Sequence, residues 1–475
     1  MTFLSPVFIF LFLPLMLAAY APVSKFRKTD IIPVIGTVFF VCININSPIG
    51  LAYLVFVQTL IIVSTAAAKK TKKKYPFAVC RAICFVVAAV FMLLRSYLTN
   101  SAFGCTGIIF ALMAAISLCN DVICGEGRVP TNLWDGVVYV TYFPLMIAGP
   151  FIRYEDFAAR FDRISFNINA FSDGIALFMK GFVKCIAVAS VIGMAYDDIL
   201  AAAGYDLSIF VGIILSAMYS VKVYVMFSGC SDIGRGISCM LGIKLDKDMG
   251  DPFVNPTPVH YLKNFFRGFT TFLQSCIATP LTNRFGNGTI VKSAVAILSS
   301  AFMLLLFSVT SNALVVLVLP LSVAMYALLF PSEETETTET RYKLEKCVLA
   351  ILGYVCTFIV MAFAWSFIKV GNLSTIRAYL EVMQSNKMFA VSYETLAVLR
   401  DPRYYAIPLI GTAVAMLTFI VMKRCSHARR DLSASELIIK GLTLFALAAM
   451  FIACVVILLP RFPELSSSEF GRYFL

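Results

Sequence analysis

Two histidines occur among the 475 residues, and proton-transfer chemistry would start from them. Imidazole titrates nearest neutrality and is the commonest general base. His427 lies in KRCSHARR, a basic loop whose composition places it in water. His260 follows the proline-rich DPFVNPTPVH, within the most polar part of the chain, residues 219–287. The same stretch carries Ser228, Ser231, Asp232, Lys263 and Asn264, groups able to line a cavity and hold a polar reactant. Asp232 has two readings. It lines that cavity, or it caps a re-entrant helix and pairs with Arg235, Lys244 or Lys263. Other chemistry is poorly represented. The 14 cysteines include no CxxC pair and no Cys/His ligand spacing, so no metal site is expected. The fragments GVVYV, GCSDIG and GNG lack the strand-to-helix context of a phosphate loop, and no bound cofactor is expected.

The elements that position these residues are read from composition. Sixty per cent of the chain is apolar and 14% is charged, against roughly a quarter charged in ordinary soluble domains. Mean hydropathy is +0.86. Apolar segments recur near 3–20, 31–46, 50–68, 76–98, 103–119, 133–150, 170–197, 207–228, 258–281, 291–309, 312–330, 346–368, 404–422 and 436–459. Roughly a dozen are expected to cross the bilayer as helices, an all-α polytopic membrane protein. The first lacks a basic leader and a small-residue cleavage site and reads as a membrane helix.

The net charge of +12 sits in short runs at 25–28, 69–74 and 423–430. That is the pattern of cytoplasmic loops near anionic headgroups, not of a nucleic-acid site. It sets the N-terminus outside. Ser228, Gly229, Ser231 and Asp232 are expected at a helix break, followed by a short helix through Gly234 and Gly236. Pro252, Pro256 and Pro258 then impose irregular backbone, so broken, re-entrant helices are expected around a central cavity. Residues 372–387, with Leu373, Ile376, Leu380 and Met383 at helical spacing, are expected along the interface.

Six segments, in order along nearly the whole chain, resemble the membrane-bound O-acyltransferase (MBOAT) family. The similar branch is bacterial and contains the alginate O-acetylation membrane protein and the D-alanyl transfer protein of teichoic acids. The opening MTFLSPVFIFLFLPLMLAAY resembles that branch's start, and AGPFIRYEDF (148–157) its GP-x-x-RY-x-D/E-F segment. SDGIALFMKGFVKCIAVA is similar to an F-x-x-G-x-x-K-K helix, with Gly181 and Lys184 in register and Cys185 in place of the second basic residue. YVMFSGCSDIGRGISCMLGIKL resembles Y-F-D-F-S-G-Y-S-D-x-A-x-G, with Met226 in place of the acidic residue. AWSFIKVGNLSTIRAYL resembles a W-x-F-F-R-A segment, and 470–474 an aromatic tail.

The resemblance implies one MBOAT-like domain over 1–475. It comprises N-terminal helices 1–130, a cavity-forming core 131–330, an acidic loop 331–345 and C-terminal helices 346–475. It further implies acyl transfer from a thioester or acyl-carrier donor to a hydroxyl of a cell-surface polysaccharide or cell-wall polymer, in the bacterial inner membrane. Lipids, an acyl-carrier protein or an envelope-modification partner would be its companions. The family's catalytic histidine falls on Phe266 and its second histidine near Thr310. His260 lies six residues before Phe266, about 120° away around a helix. Three readings follow: an acyltransferase with a rearranged site, a silent homologue that binds lipid, donor or partner, and a transporter or flippase.

Overall fold

The computed structural model describes residues 7–23, 35–38, 41, 48–97, 108–124, 130, 133–146, 152–161, 168–203, 207–253, 258–265, 267–306, 343–370, 377, 380–384, 389, 391–427 and 434–458. The basic run 25–28, residues 331–342 of the acidic loop, Phe266 and Thr310 lie outside them, as do most of 372–387 and the 470–474 tail; the last positions of that loop, 343–345, are helical. No strand occurs among the described residues, as the hydropathy pattern requires. The protein is an all-α integral membrane protein. Backbone groups in hydrocarbon must be satisfied within each segment, which a helix does and an open strand does not.

The chain divides into two compact units: Met1–Val183 with Ser228–Lys247 and Ala413–Leu475, and Lys184–Phe227 with Asp248–Thr412. In the first, α1 (Leu13–Val23) is followed by α2 (Pro48–Thr71), α3 (Tyr75–Tyr97), α4 (Ile108–Cys124) and α5 (Leu133–Val140), and α2 to α5 pack together. The short amphipathic α6 (Tyr154–Phe161) packs on α4. Next comes α7 (Ile168–Val183), which packs against α17 (Ala434–Leu458), where Phe451 meets Phe178 and Phe182.

A π-helical segment, Lys184–Ser190, joins α7 to α8 (Val191–Ala203) and opens the second unit. The helix α9 (Ile209–Met240) belongs to the second unit up to Phe227 and to the first from Ser228. The second unit continues with α10 (Pro258–Phe265), α11 (Arg267–Leu273), a π segment (Gln274–Ala278), α12 (Thr279–Phe285), α13 (Thr289–Leu306), α14 (Lys343–Val370) and α15 (Tyr393–Arg400). Between α15 and α17 runs α16 (Arg403–His427). Among the described residues, Ile168–Ala203 and Ile209–Met240 are each long and apolar enough to span a bilayer, and six shorter apolar helices accompany them.

The expected break at Ser228–Asp232 is corrected: α9 runs unbroken for 32 residues. Its polar residues are accommodated by burial against neighbouring helices, so the backbone keeps its own hydrogen bonds. The helix ends instead at Gly242, whose φ of +87° is open to glycine at no steric cost. The Ile243 and Gly242 amides close on the carbonyls of Ser238 (2.8 Å) and Cys239 (3.0 Å), a Schellman-type stop. Interrupted helices do occur, but further on, in the α10 to α12 region.

The glycines of α7 and α9 explain how these helices approach. A Cβ at Gly181 would stand 2.5 Å from the Gly229 carbonyl oxygen, and one at Gly174 would stand 2.7 Å from that of Gly236. Viewed from α9, a Cβ at Gly236 would stand 2.6 Å from the backbone nitrogen of Phe178. The two helices therefore run antiparallel with backbone against backbone, as small residues permit in membranes. Gly181→Val or Gly236→Val is expected to destabilise the first unit by about 1–3 kcal/mol or more, read as a lower melting temperature in detergent. Gly441→Ala, with nothing within 4 Å of the added atom, is expected to behave as wild type. Equal melting of all three would overturn this packing.

Candidate functional site

Close approach of α7 and α9 brings charges together. Lys180, one residue before Gly181, is buried, and its Nζ lies 3.2 Å from Asp232 Oδ2. Arg235 donates to Asp232 Oδ1 at 3.1 Å and to the Leu245 carbonyl at 3.3 Å. Asp232 is 4% exposed. A lone carboxylate at such burial costs several kcal/mol, which a well-placed counter-charge offsets. Of the partners expected for Asp232, Arg235 is engaged, while Lys180 was missed. The signal available was a lysine inside an apolar helix, which needs a partner in the protein. Ser228 and Ser231, each 5% exposed, lie on the same turns of α9.

A chain of polar contacts gathers one end of the first unit. Arg81 near the start of α3 donates to Asn120 near the end of α4 at 2.8 Å. The next residue, Asp121, accepts from Arg153 at 2.9 Å and from the Glu155 amide at 3.5 Å, which fastens the N-terminus of α6. Tyr154 and Phe157 are buried, and the Tyr139 hydroxyl donates to the Ile152 carbonyl at 2.7 Å. The described part of the 148–157 motif thus docks α6. From its far end, Arg160 donates to the Lys244 carbonyl at 2.6 Å and pairs with Asp246. The hydrogen bond from Arg160 holds the exposed Asp246 carboxyl below its ordinary range. Lysines 69 and 70 in the last turn of α2 and lysines 72, 73 and 74 between α2 and α3 are exposed, at the end of α3 where Arg81 lies.

The second unit holds Lys263, Asn264 and His260, all on α10. Lys263 and His260 are exposed and Asn264 is half-buried. The Gly250 amide donates to the Asn264 carbonyl at 2.7 Å, and the Tyr224 hydroxyl donates to the Gly250 carbonyl at 2.7 Å. Asp248 accepts from the Gly268 amide, and Asn264 Oδ1 accepts from Arg267 at 2.9 Å. Loop 248–253 is therefore laced to both sides of position 266.

The side chain before that position, Phe265, sits among aromatic rings: Trp365 at 5.1 Å, Tyr261 and Tyr224 at 5.7 Å, and Phe227 at 6.3 Å between centroids. Tyr261 is buried, and its hydroxyl lies 3.4 Å from Ser220 Oγ. The neighbourhood of Phe265 is a rigid apolar cluster with two buried hydroxyls. Among the described residues, no group of three or more His, Cys, Asp or Glu is arranged to hold a metal ion.

Two departures from the family pattern meet in this unit. Cys185 stands at a basic position and Met226 at an acidic one, and the Cys185 thiol donates to the Met226 carbonyl at 3.7 Å. Both residues are buried. Where the resemblance implies opposite charges, this chain has two neutral side chains, an exchange that is often neutral or stabilising.

Comparison with known proteins bears out the resemblance. The chain is 25% identical over 301 residues to a probable alginate O-acetylase AlgI of Pseudomonas fluorescens, covering 62% of this chain and 60% of the relative. It is 27% identical over 182 residues to the probable AlgI of Pseudomonas aeruginosa, covering 38% and 34%. A peptidoglycan O-acetyltransferase of Helicobacter pylori is 24% identical over 158 residues, covering 32% and 29%. The matched region spans 60% or less of each relative. No family model matches.

The paired neutral substitutions generate a test. Met226→Asp alone is expected to cost about 3–5 kcal/mol, because it buries an unpaired carboxylate. Adding Cys185→Lys is expected to recover at least about 1 kcal/mol of that loss, measured by thermal unfolding in detergent. A double variant no more stable than Met226→Asp would contradict the assignment of these positions to one charge pair.

Proposed function

We propose that this protein takes part in O-acyl modification of a cell-envelope polymer, transferring an acyl group from a thioester or acyl-carrier donor to a polysaccharide hydroxyl. The observation that carries the reading is similarity to acetyltransferases named for two different polymers, alginate and peptidoglycan. Two buried, charge-bearing helices held at backbone contact provide a rigid frame for such a reaction.

Proton removal from the acceptor hydroxyl is then the missing part. Phe266 cannot titrate, and Asp232 is already engaged by two cations. This reading assigns the role to His260, on the helix leading to position 266. A general base supplies about 10²–10⁴ in rate, so His260→Ala would lower transfer by that order.

A second reading is a non-catalytic subunit that binds donor, lipid or an envelope-modification partner. Phe266 and Thr310 at the family histidine positions favour it, as does the aromatic packing of Phe265. In both readings the protein sits in the inner membrane with its N-terminus outside. The lysine-rich turn 69–74 and the end of the first unit to which it belongs then face the cytoplasm. Trypsin is expected to cut at 69–74 in inside-out vesicles and not in right-side-out ones; the reverse would invert the topology.

The deciding experiment measures ester-linked acyl groups on surface polymers in deletion cells and in cells complemented with wild type or His260→Ala. Loss on deletion, restored by wild type alone, is the catalytic result. Restoration by both proteins supports the non-catalytic subunit. Unchanged acyl content on deletion would overturn both.

A further inference from the structure

Neither reading uses one corner of the second unit, where exposed rings and charges share a surface. The helix α15 is capped by Ser392, whose hydroxyl accepts from the Thr395 amide at 3.1 Å, and it packs on α8. Thr395 is buried, while Tyr393, Glu394, Ala397 and Arg400 form the exposed side of the helix. Near the end of α8, Asp198 accepts from the Tyr404 hydroxyl. Asp401 holds the exposed Arg403 guanidinium at 2.6 Å, and the Tyr405 hydroxyl donates to the Arg400 carbonyl at 2.9 Å. Phe389 lies with its ring centroid 6.0 Å from that of Phe210, the second residue of α9, and both rings are exposed.

Tyr393 is 84% exposed and Phe389 71%. Large rings presented together to this extent call for a cover, lipid or ligand. Lipid does not fit α15. Glu394 and Arg400 share the exposed side with Tyr393, and charged groups are costly in hydrocarbon, so that side meets water. The charge then selects the ligand. Asp197, Asp198, Glu394 and Asp401 stand with Arg400 and Arg403, four carboxylates against two guanidinium groups. A polymer carrying a carboxylate on each sugar would be repelled. A neutral sugar presents apolar C–H faces to the rings. Its rim of hydroxyls meets carboxylate and guanidinium in hydrogen bonds strengthened by charge.

We propose that this corner is a glycan-binding surface for an uncharged polysaccharide, with sugar faces on Tyr393 and Phe389 and hydroxyls on Asp198, Glu394 and Arg403. The helix α15 rises about 10 Å from Tyr393 to Arg400, so rings and charges engage successive sugars of one chain. The proposal rests on the O-acyl-transfer reading, in which the acceptor polymer arrives from outside. The helix α9 crosses the bilayer in one piece. Its Met240 end leads into Lys244, held by Arg160 at the end of the first unit that faces the cytoplasm in the topology above. Its Ile209 end, and Phe210 with it, therefore faces outside.

The test uses the purified full-length protein in lipid nanodiscs, with calorimetric titration of an N-acetylglucosamine oligomer and of an oligouronate of equal length. The neutral oligomer is expected to bind about tenfold more tightly than the oligouronate. Tyr393→Ala is expected to weaken that binding about fivefold with an unchanged melting temperature, and Tyr393→Trp to retain it. In right-side-out vesicles, Tyr393→Cys is expected to react with a membrane-impermeant maleimide above the wild-type background. No binding of the neutral oligomer, tighter binding of the oligouronate, or unchanged binding by Tyr393→Ala would each overturn the proposal. So would a Tyr393→Cys protein that resists the maleimide, because the ring would then lie in lipid or face the cytoplasm. Binding is read without acyl transfer, so its failure is distinct from unchanged acyl content on deletion, which would overturn the reading beneath it.

Discussion

One carboxylate shared by two cations governs how the first unit is built. Asp232 cannot be buried alone, and neither can Lys180, so each requires the helix that carries the other. Contact at 3.2 Å between side chains of α7 and α9 is secured by the backbone approach that Gly174, Gly181 and Gly236 permit. Replacing any of these glycines separates the helices and exposes the ion pair to the cost it was built to avoid. Arg235 extends the arrangement outward to the Leu245 carbonyl, and Arg160 holds the neighbouring Lys244 and Asp246. The same charge pattern thus orders a membrane helix, its terminal loop and an amphipathic helix.

The helical class was legible because hydropathy reports a local property, whether a segment can meet lipid. Ser228, Ser231 and Asp232 were recognised as unusual for the same reason. Their consequence was misread. Polar density suggests a helix break, whereas the counter-charge that keeps the helix whole lies 52 positions earlier in the sequence, at Lys180. No local pattern reveals such a pairing, although a lysine beside Gly181 in an apolar helix hints at one. The true end of α9 was written in Gly242, which the expected earlier break obscured. The arginine of the 148–157 motif was noticed, but its partner Asp121 on α4 became visible only in three dimensions.

The chemistry divides along similar lines. At Cys185 and Met226, where the resemblance implies opposite charges, this chain carries two neutral buried side chains. Around Phe265, stacked rings and backbone hydrogen bonds hold the segment leading to position 266 as firmly as a catalytic segment would need. Rigidity there is compatible with catalysis by a displaced histidine and with a binding role. The buried triad of Lys180, Asp232 and Arg235 serves the packing of α7 and α9 in either case.

The most direct measurement of this account is a double-mutant cycle on Lys180→Met and Asp232→Asn, read by thermal unfolding of the purified protein. A coupling energy above about 1 kcal/mol, with Asp232→Asn the more damaging single change, is the predicted result. Additive effects within about 0.5 kcal/mol would mean that Lys180 and Asp232 do not sustain each other, and the α7–α9 frame would have to rest on something else.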